Sequence, residues 1–171
     1  MRGLTLTEIL VTILIFSVVM IAIGLTMVAG KNSLFTSDTP TQLRQNLLFS
    51  IMSVSRELRE TTPAKTNLSE GASSNSITFQ VPFDNNADGI VVDTVGNIEW
   101  SSNITYSLNG ASQFIRTQGG ATSIISPNIA SLQFSRPLGE DRIIQIDITA
   151  QKINGTGNWQ DAEQAILKMR N

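Results

Sequence analysis

The chain has no cysteine and no histidine among its 171 residues. Without cysteine there is no disulfide, no thiolate nucleophile and no thiolate metal site. Without histidine the commonest general base and the commonest metal ligand are both missing, and no serine has an imidazole to activate it. Much hydrolytic and metal chemistry is thereby excluded, and the sequence does not read as an enzyme. Basic residues are not in excess either: 12 Lys and Arg stand against 14 Asp and Glu, for a net charge of -2. With a pI near 5.1 and no basic cluster, the electrostatic footprint of a nucleic-acid binder is lacking.

What the chain does have is a long uncharged run. Residues 9–30 carry no ionisable side chain, and a helix rising ~1.5 Å per residue needs about twenty such residues to cross a ~30 Å hydrocarbon core. A membrane-spanning helix is expected there. Gly24 and Gly30 would weaken it in water, but glycine is frequent in helices that cross bilayers. A secretory signal has an apolar stretch of ~7–15 residues followed by a small-residue cleavage site, and this run is longer. Ahead of it stand one carboxylate, Glu8, and the short leader Met1-Arg2-Gly3. Arg2 places the N-terminus in the cytoplasm and everything after Lys31 outside. A carboxylate on an apolar helix costs free energy in lipid, most at the helix centre and less near the interface, so Glu8 calls for a partner. The plainer alternative is a signal anchor with Glu8 just outside the bilayer.

Gly3, four residues, Glu8 and then an unbroken apolar helix resemble the class III signal of type IV prepilins and pseudopilins. The resemblance implies cleavage after Gly3 by a prepilin peptidase, N-methylation of the new terminus Leu4, and retention of the apolar segment. It also implies that Glu8 meets the N-terminal amine of a neighbouring subunit as subunits add at an inner-membrane assembly platform. Leu4 departs from the family's usual Phe, which bears on subunit class. On this reading residues 1–3 are a leader, 4–30 a transmembrane and assembly helix, 31–62 an amphipathic helix, and 63–171 a β-sheet domain. The protein would cross the bacterial inner membrane once, its C-terminal domain in the periplasm or in an extracytoplasmic filament.

The rest of the sequence alternates between helical and strand periodicity. Thr39-Pro40-Thr41-Gln42 resembles a helix start, with Thr39 as N-cap and Pro40 at the first helical position. Leu43, Leu47, Ile51, Val54 and Leu58 then fall on one stripe, widened by Leu48 and Met52, before Thr61-Thr62-Pro63 ends the helix. Either a second helix begins at Pro40 or one long helix bends there. Short β-type runs follow at residues 77–81, 90–92, 98–100, 104–108, 113–116, 122–125, 129–134 and 142–150, with Asn109-Gly110 as a two-residue hairpin turn. In the last run Ile144, Ile146 and Ile148 alternate with Gln145, Asp147 and Thr149, as in a sheet with one buried face. Residues 162–171 have a helical composition but alternate at Ala165, Leu167 and Met169, which favours a strand. The expected fold class is α+β: a long N-terminal helix, kinked or broken near Pro40, packed on an antiparallel β-sheet. The order of runs from Ile77 to Phe134, with Trp100 and the segment Ile104-Thr105-Tyr106-Ser107-Leu108, is similar to J-type minor pseudopilins of type II secretion and to W-type minor pilins.

One loop has the pattern of an ion site. Asp84-Asn85-Asn86-Ala87-Asp88-Gly89 matches the D-x-[DN]-x-[DN]-G opening of a calcium loop, in which alternate oxygens surround a hard cation at ~2.3–2.6 Å. Asp84, Asn86 and Asp88 would be side-chain ligands and Ile90 a carbonyl ligand. Val95 stands where the closing glutamate belongs, with Asp93 as the substitute. The alternative is a solvated turn made of turn-forming residues. Any calcium would be structural, and no cofactor is required. Gly139-Glu140-Asp141-Arg142 reads as a turn with solvated charges, and Trp100, Tyr106 and Trp159 as core or sheet-face residues rather than a sugar-binding surface. Two functions from different classes follow: a filament subunit whose partners are other pilin-type subunits, or a membrane-tethered extracytoplasmic binding module that does not polymerise. A DNA-uptake subunit would need an exposed basic stripe.

Overall fold

The structure, a computed structural model, describes residues 5–154 and 157–170, with the backbone alone for residues 32–38 and 154. It is α+β. Helix α1 is assigned from Leu6–Leu58 with Pro40 in its interior. Of the two alternatives left open at Pro40, the helix runs on through it and is not broken there, although proline removes one amide donor. Thr39 does not open a second helix. The chain divides into two compact units at this point, Met1–Thr39 and Pro40–Asn171.

Residues 6–31 of the first unit are apolar helix exposed on every side. Within Leu6–Lys31 none of the surface is buried by the rest of the chain, and Leu10, Phe16 and Met27 stand more than half exposed. Its hydroxyls turn back onto their own backbone: Ser17 Oγ donates to the Ile13 carbonyl at 2.8 Å, Thr26 Oγ1 to that of Ile23 at 2.8 Å, and Thr12 Oγ1 to that of Glu8. No hydroxyl donor among these needs water.

The second unit holds residues 40–58 of α1 and two antiparallel four-stranded sheets, where the sequence suggests one. The strands are β1 (Ser73–Ser74), β2 (Ile77–Phe79), β3 (Ile104–Leu108), β4 (Phe114–Gln118), β5 (Ala121–Ser126), β6 (Ile129–Ser135), β7 (Ile143–Asn154) and β8 (Gly157–Lys168). One sheet runs β1-β6-β7-β8 and the other β2-β3-β4-β5. The strand expected near the C-terminus is present and begins earlier than the alternation at Ala165 suggests, pairing with β7 from Ile143 opposite Lys168 through Asn154 opposite Gly157. The runs at residues 90–92 and 98–100 do not become strands. They meet only at a single bridge between Val92 and Ile98, within an excursion between β2 and β3. Two turns also differ. Leu108 pairs with Phe114, so Asn109-Gly110 opens a five-residue loop held by Asn109 Oδ1, which accepts from the Ala111 and Gln113 amides at 3.0 Å each. The two-residue hairpin is at Gly119-Gly120, both at positive φ between the paired Gln118 and Ala121.

The helical stripe meets the sheets in one core. Leu43, Leu47, Val54 and Leu58 are buried with Ile77, Phe79, Tyr106, Phe114, Phe134, Ile144, Ile146 and Ile148, while Ile51 is half-buried at its margin. Leu48 and Met52, expected to widen the stripe, are exposed instead. One polar cluster is set into this core. Glu57 of α1 accepts from Tyr106 Oη at 3.0 Å and pairs with Arg116, whose Nε and Nη2 both lie 3.0 Å from Oε1. It ties the end of the helix to β3 and β4. Burial, followed by the Glu57 charge, pushes the Tyr106 phenol above the usual tyrosine range. Thr61 seals the helix end, its hydroxyl donating to the Gln80 carbonyl at 2.6 Å and its carbonyl accepting from the Arg170 amide at 3.0 Å.

Two measurements follow. Leu47→Ala is expected to destabilise the full chain in detergent by about 2–5 kcal/mol in a denaturant series, because the cavity cannot collapse. Met52→Ala changes it by no more than about 0.5 kcal/mol. Equal losses would refute the assignment of the buried face. Tyr106 is the chain's single tyrosine, so ultraviolet titration reads it alone. A pKa raised by folding contributes stability that is complete below the unfolded value of about 10 and is lost as pH rises above it. Ionisation is therefore expected to coincide with alkaline unfolding, and the pH dependence to flatten in Tyr106→Phe.

Candidate functional site

Gly3 and Leu4, the expected processing residues, lie outside the described residues. Glu8, the expected assembly residue, is in the first turn of α1. Its Oε2 accepts the Thr5 amide at 2.8 Å and the Thr5 hydroxyl at 3.0 Å, while the Thr5 carbonyl accepts the Glu8 and Ile9 amides at 3.1 and 3.3 Å. Thr5 is thus the N-cap, and Glu8 reaches back to its N–H as the third residue of a capping box. The pattern Thr5-x-x-Glu8 is a sequence signal for this, and reasoning from the glycine–glutamate spacing passed over it. Every bond the Glu8 carboxylate receives goes to Oε2; Oε1 receives none among the described residues. Glu8 is the one ionisable side chain between Leu6 and Gly30. The helix that carries it is long and apolar enough to cross a membrane or to act as a signal sequence.

The acidic loop is built from the amides it encloses. Asp84 Oδ2 accepts the Gly89 amide at 2.7 Å and its Oδ1 accepts those of Asn86 and Asp88 at 3.2 and 3.3 Å. Asn86 Oδ1 accepts the Asp88 amide at 3.0 Å, and Asp88 Oδ1 the Ile90 amide at 2.9 Å. Ala87 and Gly89 take positive φ to allow the turn. Asp93 is engaged separately: its Oδ1 accepts the amides of Val95 at 2.9 Å and Asn97 at 2.8 Å. Glu99 is what joins the loop, accepting from the Asn85 amide at 2.7 Å and from Asn86 Nδ2 at 3.2 Å, a partner that the calcium-loop spacing does not indicate. Among the described residues no group of three or more Asp, Glu, His or Cys side chains is placed to hold a metal. Asp84 Oδ1 and Oδ2, Asn86 Oδ1 and Asp88 Oδ1 each accept at least one amide of the turn. The Gly89 amide holds the Asp84 carboxyl below the usual carboxylate range, and the Asn97 amide does the same for Asp93.

The remaining clusters separate. Tyr106 is buried against Phe79, ring centroids 6.0 Å apart, so Trp100, Tyr106 and Trp159 share no surface for a sugar. Trp100 instead lies under Lys65 Nζ at 5.1 Å. Residues 139–142 form a turn in which Asp141 and Arg142 approach to 3.9 Å.

Lowered carboxyl pKa values stabilise the loop above the unfolded carboxylate range, and that contribution is lost as pH falls through the folded values. Amide exchange at Gly89 and Asn97 is therefore expected to quicken as pH drops below about 4, after correction for intrinsic rates. Asp84→Asn removes the change at Gly89 and leaves that at Asn97, and a loop indifferent to Asp84→Asn would contradict the geometry. Comparison with protein-family profiles, with curated proteins and with solved structures returned no match.

Proposed function

We propose that the chain is a minor pilin-type or pseudopilin-type subunit, a structural protein of a short extracytoplasmic filament rather than an enzyme. In this reading it is cut after Gly3, held in the bacterial inner membrane by residues 4–30, and assembled with other subunits of the same type. The single observation that supports it most is Glu8: a lone carboxylate on a bare apolar helix, with one oxygen engaged at the cap and the other without a partner among the described residues. A carboxylate has about four acceptor sites, and holding the Thr5 amide leaves room for a second donor of positive charge. The freed amine of a neighbouring subunit is such a donor. Support also comes from the head, where an amphipathic helix buries its stripe on antiparallel sheets.

Two tests bear on it. Mass spectrometry of the mature protein is expected to find a chain beginning at Leu4, bare or with one added methyl; an intact Met1, or a cut after Ala29, would overturn the processing step. Glu8→Gln separates the two tasks of the side chain. An amide oxygen can still cap Thr5 but cannot pair with an ammonium, so helix content is expected to stay and incorporation into filaments to fall at least tenfold. If Glu8→Gln assembles as well as the native chain while the head still binds an extracellular ligand, the tethered binding module is the better reading.

A further inference from the structure

An edge strand turns a row of backbone N–H and C=O groups outward, and another chain can pair with that row unless charge, shortness or a covering segment prevents it. Three of the four sheet edges among the described residues are guarded in one of these ways. β1 is two residues long, and β8 carries Asp161, Glu163 and Lys168. β2 is covered by Asn67, whose amide donates to the Thr78 carbonyl at 2.9 Å and whose Oδ1 accepts the Thr78 amide at 2.8 Å. β5 has none of these devices. It is six residues long, its first four residues are exposed, and no ionisable side chain occurs over residues 117–135. The tight turn at Gly119-Gly120 makes Gln118 and Ala121 a hydrogen-bonded pair, so Ser123 also faces β4, while Thr122 and Ile124 point their N–H and C=O groups to the open side. No loop reaches those four groups among the described residues. A row of threonines runs to the same edge. Thr78, Thr105, Thr117 and Thr122 stand opposite one another across the four strands, with Oγ1 atoms 2.9 Å apart in the first pair and 3.1 Å in the last. Beside the row Ile115 pairs with Ile124, which is 59% exposed.

We propose that β5 takes up, as a fifth strand, an extended uncharged segment of another protein, with threonine opposite Thr122 and a β-branched residue opposite Ile124. Such a strand would exchange four backbone hydrogen bonds with Thr122 and Ile124 and continue the cross-strand pairs already present. Symmetry argues against β5 of a second copy. Antiparallel pairing of β5 with itself needs a two-fold axis normal to the sheet, and because the buried stripe lays the helix along the sheets, residues 40–58 of the two copies would run opposite ways. Two chains anchored by their N-terminal ends in one membrane cannot meet so. The β8 edge of a second copy would bring its charged side chains beside a strand with no charge to answer them. The choice against a second copy rests on the proposed anchoring, whereas strand addition needs the head unit alone; a chain that failed the N-terminal mass test would still bind.

The test uses the full chain in detergent micelles and a fluorescent eight-residue peptide in which serine alternates with threonine and valine. Saturable anisotropy is expected, with binding at least tenfold weaker after N-methylation of the threonines and valines, whose amides face β5, and little changed after N-methylation of the serines. Ile124→Pro, which removes an outward amide, and Ile124→Lys, which keeps the amide and adds a charge to the edge, are each expected to weaken binding at least tenfold. The lysine variant is expected to keep the native circular dichroism, because Ile124 is exposed. No binding, or equal binding of all three peptides, would overturn the proposal, as would native affinity in Ile124→Lys. Dimers of the native chain in sedimentation that Ile124→Lys dissolves would make the edge a self-interface and overturn it too.

Discussion

Burial of one helical stripe beneath two sheets is the constraint on which the second unit depends. Leu43, Leu47, Val54 and Leu58 are apolar where the sheets present Ile144, Ile146, Ile148 and Phe134, and burying each such side chain is worth about 1.5–3 kcal/mol. A helix of this length gains little from propensity alone, and the sheets have a wet face as well as a dry one, so each supplies the surface the other lacks. Glu57 fixes the rotation. Turning the helix by one residue would take its carboxylate away from Arg116 and Tyr106, leaving the buried Tyr106 hydroxyl without its acceptor and the half-buried Arg116 without its ion pair. The stripe therefore supplies the driving force and the glutamate the register.

The parts of this arrangement carried by local periodicity were legible in the residues. The stripe's four-residue and three-residue steps identify the buried helix face, and the alternation at Ile144, Ile146 and Ile148 identifies the buried sheet face. What escaped was set by distant partners or by turn chemistry. Ile90, Val91 and Val92 have strand-forming side chains, but the neighbouring loop spends its polar groups on its own amides, and only one bridge forms. Division into two sheets depends on pairing β6 with β1 and β2 with β3, which no run of residues announces. Asn109 competes for backbone amides with its own side chain and so opens a wider loop than Asn-Gly usually does, while Gly119-Gly120 meets the positive-φ demand without such competition. In the candidate site the position of Glu8 was legible and its cap was not weighed.

The two glutamates of α1 show how one residue type serves opposite ends. Glu57 is answered on both oxygens by groups of its own chain: Arg116 reaches Oε1 and Oε2, and Tyr106 takes Oε2. A carboxylate so enclosed has no capacity for a further partner, and its contribution is internal cohesion. Glu8 has the contrary arrangement. Thr5 occupies one oxygen, which fixes the side chain at the helix start, and the surrounding surface is apolar and uncovered. In the proposed function, positioning without saturation is what would distinguish a group that meets an external donor from one that completes a fold. In water the oxygen that has no partner among the described residues would be solvated at no cost; in the proposed filament, at the edge of a hydrocarbon layer, the ammonium of a neighbouring subunit would take the place of water and favour one axial stagger of neighbouring helices over another.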